Sequence, residues 1–152
     1  MTFSLFTINI YRTKLNLDNK KIINYLNNIK KTNKGVNKSN PKGTGWQSDF
    51  LNLNDFVDLQ EQIKPHVIKY MNDLSLKGIA KMNSLWANFN NYKDYNEVHT
   101  HGESQLSTVY YLKNPKNSGD LFFDSPIHSM NVSWSNFRND FNTGNSTRIS
   151  FN

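Results

Sequence analysis

His99 and His101 stand one residue apart in Tyr95-Asn96-Glu97-Val98-His99-Thr100-His101-Gly102-Glu103-Ser104, just ahead of an alternating run over residues 106–112. Side chains at i and i+2 of an extended chain leave the same side, so the two imidazoles can converge on one small target. Imidazole is the commonest protein ligand for divalent transition metals and is readily poised for proton transfer near neutrality. The pair therefore predicts a metal site at the rim of a β-structure, the plainer alternative being a polar turn ahead of a strand. The chain has no cysteine, which excludes thiolate metal sites and disulfides.

The elements that must position this pair are legible in outline. Residues 3–10 alternate loosely and read as a strand. Asp18 can cap a helix whose apolar positions Ile22, Ile23, Leu26 and Ile29 follow helical spacing. Gly35 and Pro41-Lys42-Gly43-Thr44-Gly45 then predict a long loop. Asn54 opens a second helical region with Phe56, Val57, Leu59 and Ile63 inward, and Pro65 should kink that helix or restart it. Val67, Ile68, Met71 and Leu74 carry the apolar face to about Leu76. After Gly78 the character changes to short strands at 82–90, 106–112, 120–123, 132–137 and 148–151, with 115–119 as a hairpin loop. The expected class is α+β: one domain over 1–152, with a strand and helices in 1–78 packed on an antiparallel β-core in 79–152.

A chain of 152 residues is long enough for one domain with a real core. Its net charge is +6, and Lys20, Lys21, Lys30, Lys31, Lys34, Lys38 and Lys42 gather on the first helix and the loop after it. Such a patch can attract nucleic acid or an anionic substrate. No motif for reading a groove or a single strand accompanies it, so nucleic acid is not the expected partner. No basic region followed by a long apolar run opens the chain, and no segment approaches a membrane span. The expectation is a soluble, cytoplasmic protein.

Six motifs follow one another in a set order: Gly43-Thr44-Gly45-Trp46-Gln47-Ser48; Trp86-Ala87-Asn88; Tyr95 to His101; Leu106-Ser107-Thr108-Val109-Tyr110-Tyr111-Leu112; Ser118-Gly119-Asp120-Leu121-Phe122-Phe123; and Arg148-Ile149-Ser150-Phe151-Asn152. In that order they resemble the 2-oxoglutarate/Fe(II)-dependent oxygenases common in marine phages and bacteria, from about Trp46 onward and more loosely before it. The resemblance implies a double-stranded β-helix (jelly-roll) flanked by the N-terminal helices, in a protein expressed in a host cytoplasm if phage-encoded. It also implies Fe(II) as cofactor, 2-oxoglutarate as cosubstrate, and hydroxylation of a small molecule or a protein side chain as the activity. Members of the wider superfamily hold iron on two histidines and a carboxylate, leaving open positions for cosubstrate and oxygen.

By that resemblance His99 and His101 are the expected iron ligands. In an alternative register His101 and Glu103 ligate, as His-x-Glu, and His99 supports them. Arg148 and Ser150 would hold the distal carboxylate of 2-oxoglutarate, a guanidinium being able to grip it through two parallel bonds. Tyr110 or Tyr111 could add a hydroxyl to the same cosubstrate, and Asn88 is a weaker candidate for the pocket wall.

The chain departs from the family at its distal histidine. Counted on from Ser133-Trp134, or back from Arg148, that position is Phe137, which cannot bind a metal. Residues 126–132 are also shorter than the family's connection, so the jelly-roll is expected to be shortened. His128 and Asp140 are the possible replacement ligands, whereas His66, after Pro65, reads as a surface or packing residue. Two further readings stay open: a non-catalytic jelly-roll binding or structural module, and a cupin-like metal protein using His99, His101 and Glu103.

Overall fold

Asp18 does begin a helix. Its carboxylate accepts a hydrogen bond from the Lys21 N–H at 3.1 Å, satisfying one of the donors that a helix start leaves unpaired, and α1 runs over Asn19–Thr32. The computed structural model describes residues 9–36, 43–116, 118–124 and 146–149. These fall into two units, the first formed by Met1–Asn37 together with Trp46–Phe89, the second by Lys38–Gly45 with Asn90–Asn152. No helix among the described residues is long and apolar enough to cross a membrane.

In the first unit α1 buries Leu26, with Ile22, Ile23 and Ile29 half-buried beside it, as helical spacing requires. The next helical segment starts at Leu53, one residue before the Asn54 at which it was expected to open. Asn52, not Asn54, accepts from a backbone N–H (that of Asn54, 3.1 Å), and a 3-10 turn over Leu53–Phe56 feeds α2, Val57–Asp73. Phe56 and Leu59 are buried, but Val57 and Ile68 are half exposed, so the inward face is narrower than expected. Pro65 lies inside α2 and does not restart it. Pro65 and Glu61, four residues before it, are both exposed, so water can take the carbonyl that proline leaves without a donor. The helix stops at Asp73 and not Leu76. Leu76 N–H returns to the Met71 carbonyl at 2.8 Å and Ser75 N–H to that of Asn72 at 3.0 Å, a Schellman closure that puts Ser75 at φ 55.

Polar side chains of α2 at four-residue spacing hold the segment that precedes α1. Gln62 bonds the backbone of Asn16 in both directions, His66 meets the Tyr11 hydroxyl at 3.0 Å, and the Tyr70 hydroxyl donates to the Asn9 carbonyl at 2.6 Å. His66 is thus a packing residue. Asn9 and Ile10 are not in a strand; the rest of the strand expected at 3–10 lies outside the described residues.

β1, Trp46–Gln47, pairs antiparallel with β2, Asn88–Phe89, setting Trp46 opposite Phe89. The backbones continue side by side through Ser48–Ala87 and Leu51–Leu85, which is what survives of the strand expected at 82–90. Trp46 is buried and its indole N–H donates to the Asn33 carbonyl just past α1, at 2.9 Å. Gly35, at φ +74, lets the chain pass so close to this indole that an added Cβ would stand 2.4 Å from the Gln47 carbonyl oxygen. The Gly-Trp motif and the Trp-Ala-Asn motif therefore meet in one ladder.

In the second unit β3, Leu121–Asp124, pairs antiparallel with β4, Ser146–Ile149, each displaced by one or two residues from its expected range. Residues 106–112 form no strand. Their alternation does turn one face inward, Leu106, Tyr110 and Leu112 being half-buried while Ser107, Val109 and Tyr111 are exposed, yet the segment belongs to neither of the two described ladders. The turn at 115–118 exists, closed by Ser118 N–H on the Pro115 carbonyl at 3.1 Å, but it joins no hairpin. The strand expected at 132–137 lies outside the described residues. What is described is thus a small α+β arrangement of two helices and two two-stranded ladders.

Candidate functional site

The segment carrying the histidines is anchored at its start. Asp94 accepts from the Thr44 N–H and the Asn91 N–H, each at 2.8 Å, while the Asn91 side-chain amide donates to the Thr44 carbonyl at 2.9 Å. A carboxylate that takes two backbone donors in this way fixes both strands of chain against each other. Gly43-Thr44-Gly45 is therefore tied to the turn that precedes Tyr95. Asp94 and Asn91 were not among the residues singled out from the sequence; an Asx-type pair three residues apart beside Tyr-Lys was the available signal.

Five residues on, His99 Nδ1 lies 2.6 Å from the Glu97 carbonyl oxygen. A carbonyl can only accept, so Nδ1 carries the proton and Nε2 of the neutral ring keeps its lone pair for a ligand. The His101 ring stands 4.9 Å from that of His99, centre to centre, at 82°. Two imidazoles on adjacent positions of one metal, each with nitrogen about 2.1 Å away, have centres about 4.6 Å apart. The observed spacing is within a few tenths of an ångström of that figure, and both rings are exposed. The two rings stand edge to face beside each other, although no strand places them there.

Glu103, the carboxylate of the His-x-Glu and cupin-like readings, follows directly on the pair. The chain reverses immediately after His101, with Ser104 N–H on the His101 carbonyl at 3.0 Å, which places Gly102 and Glu103 at the corner of a turn. No cluster of three His, Asp or Glu side chains able to hold a metal exists among the described residues. His128, Phe137, Asp140 and Ser150 lie outside them. Arg148 is in β4 with its backbone opposite Phe122, so the Leu-Phe-Phe motif and the Arg-x-Ser motif are neighbours. Tyr110 is half-buried and Tyr111 more exposed, with partial burial pushing the Tyr111 phenol above its ordinary value. Asn88 is exposed in the first unit's ladder.

Residues 84–152 match the protein family described as "Putative 2OG-Fe(II) oxygenase". Neither a curated protein nor a solved structure matches the chain. The matched span contains the histidine pair, Tyr110 and Arg148.

Proposed function

We propose that the chain is an Fe(II)- and 2-oxoglutarate-dependent dioxygenase acting as a hydroxylase, built as a single jelly-roll-type domain over residues 1–152. The observation that carries this reading is the imidazole pair at 4.9 Å, inside a span that matches an oxygenase family. The pair supplies the nitrogen donors that a ferrous centre takes, and the Glu97 carbonyl presets His99 to bind through Nε2. Iron with its cosubstrate supplies the oxidising chemistry when bound; the protein's part is placement and exclusion of water.

In this reading His99 and His101 hold the metal. Arg148 grips the distal carboxylate of 2-oxoglutarate, with Ser150 and the Tyr110 hydroxyl adding hydrogen bonds. The third protein ligand comes from the segment between β3 and β4, where His128 is the candidate because Phe137 fills the position expected for the distal histidine. Asp94 and Thr44 keep the loop that carries the histidines in register.

Phe137 also favours a second reading, a binding or structural module that retains the scaffold without the iron. Measured Fe(II) binding to the parent protein and to His99→Ala separates the two. The dioxygenase reading expects stoichiometric binding lost in the variant. Stoichiometric binding retained in His99→Ala would remove the assignment of His99, and no binding in a folded parent would favour the module.

A further inference from the structure

We infer that the exposed face of α1 is a docking surface for the phosphate backbone of nucleic acid. Charge is sharply segregated along the chain. Residues 9–36 hold seven basic residues (Arg12, Lys14, Lys20, Lys21, Lys30, Lys31 and Lys34) against one acid, Asp18, so they carry the whole net charge of +6 and the remainder of the chain is neutral. Asp18 is engaged in capping the helix. Among the described residues Lys20, Lys21, Lys30 and Lys31 make no ion pair, and all four are exposed.

The arrangement on the helix is directional. Leu26 is buried on one side, while Lys20, Asn24, Asn27 and Lys31, at i, i+4, i+7 and i+11, form one exposed stripe on the other. That stripe is about 16 Å long. Asn24, Asn27 and Asn28 lie between the lysine pairs and, with Lys30 and Lys31, line a shallow, open depression on the helix surface. Their amides can donate to phosphate oxygens along the interval.

Helix stability explains only half of these lysines. Lys30 and Lys31 sit in the last turn, where the macrodipole favours cations. Lys20 and Lys21 sit in the first turn, where it opposes them. Unpaired cations placed against the dipole are a local cost, and such departures concentrate where a partner uses them. A lipid surface fits less well than a phosphate backbone. The apolar residues Ile22, Ile23, Leu26 and Ile29 are partly or wholly buried in the protein's own unit, which leaves the helix no apolar face to insert. Phosphate binding of this kind reads no sequence, so it needs no recognition motif.

The test uses the full-length apo protein and a fluorescently labelled duplex DNA of about two helical turns, followed by anisotropy. Lys20 and Lys31 on the stripe, with Lys21 beside Lys20, predict a slope of log K against log salt of about −2 to −3, or roughly 30-fold weaker binding from 50 to 200 mM salt, Lys30 being turned toward the Phe89 ring. Lys20→Gln/Lys21→Gln should flatten that slope by about 2 while its Tm stays equal or rises, because two cations leave the helix start. Lys77→Gln, exposed and off the helix, should bind as the parent does. Absence of binding at low salt, an unchanged slope in the double variant, or preference for anionic phosphatidylserine vesicles over DNA would each overturn the inference. None of these outcomes depends on iron, so the result is independent of the oxygenase reading.

Discussion

Replacing Gly35 by alanine should cost the first unit about 3 kcal/mol, and the sum can be traced contact by contact. The backbone at φ +74 costs an L-residue about 1 kcal/mol. The new Cβ would lie 2.4 Å from the Gln47 carbonyl oxygen and 2.8 Å from the Trp46 indole, so both must move. That carbonyl accepts from the Val36 N–H at 2.8 Å, and the indole N–H donates to the Asn33 carbonyl at 2.9 Å. Losing each bond costs about 1 kcal/mol. Urea unfolding followed by tryptophan fluorescence should show the midpoint falling by about 2 M, with a slope near 1.5 kcal/mol per molar. Gly102→Ala is the control, having no left-handed φ and no atom within 4 Å of the added Cβ; it should shift stability by under about 0.5 kcal/mol. Equal midpoints for the two variants would refute the claim that Gly35 is fixed by close approach to Trp46.

Ser75→Gly should raise stability by about 1 kcal/mol, since Ser75 closes α2 at φ 55 where glycine carries no steric penalty; an unchanged or lower Tm would count against the Schellman closure. Ser48→Ala should cost about 1–2 kcal/mol in the same urea assay, because Ser48 is buried and its hydroxyl accepts from the Ala87 N–H at 3.0 Å, which would be left without a partner. The Tyr25 hydroxyl donates to the Asp55 carboxylate, and that bond, then burial, holds its phenol above the ordinary 10.0. Its contribution to stability is therefore complete below pH 10 and is lost as pH climbs through the raised folded value. Ultraviolet difference titration should find late-ionising tyrosines, of which Tyr25→Phe removes one and leaves Tyr111, and an unchanged titration in that variant would reject the pairing.

Local rules carried the helices and failed where pairing was needed. Asp18, followed by apolar residues at helical spacing, identified α1 because a cap and a face are both local properties. Pro65 left a kink or a restart open, and the restart does not occur because the abandoned carbonyl at exposed Glu61 can reach water, which the sequence does not display. Residues 106–112 alternate as a strand does and keep Leu106, Tyr110 and Leu112 half-buried, yet they join neither described ladder, because alternation specifies a face and not a pairing. Conversely, Trp46 and Ala87 are 41 residues apart in the chain and their motifs proved to be two sides of one ladder, a relation invisible to any window along the sequence.

The site divides in the same way. His99 and His101 were legible because their spacing alone permits convergence, and they do stand together. The order of the Leu-Phe-Phe and Arg-x-Ser motifs anticipated two strands near the end of the chain, and they pair as β3 and β4. Asp94 was passed over because the Asn91–Asp94 spacing signals only a local turn; the fold alone shows that Thr44 lies within its reach.

The most direct test of the iron centre is anaerobic titration of the apo protein with Fe(II) and 2-oxoglutarate, followed by visible absorption. Chelation of the cosubstrate on protein-bound iron produces a metal-to-ligand charge-transfer band. The account predicts that band in the parent and its loss in His99→Ala. A folded parent protein that shows no band would contradict the proposed function and leave the scaffold as a module without the chemistry.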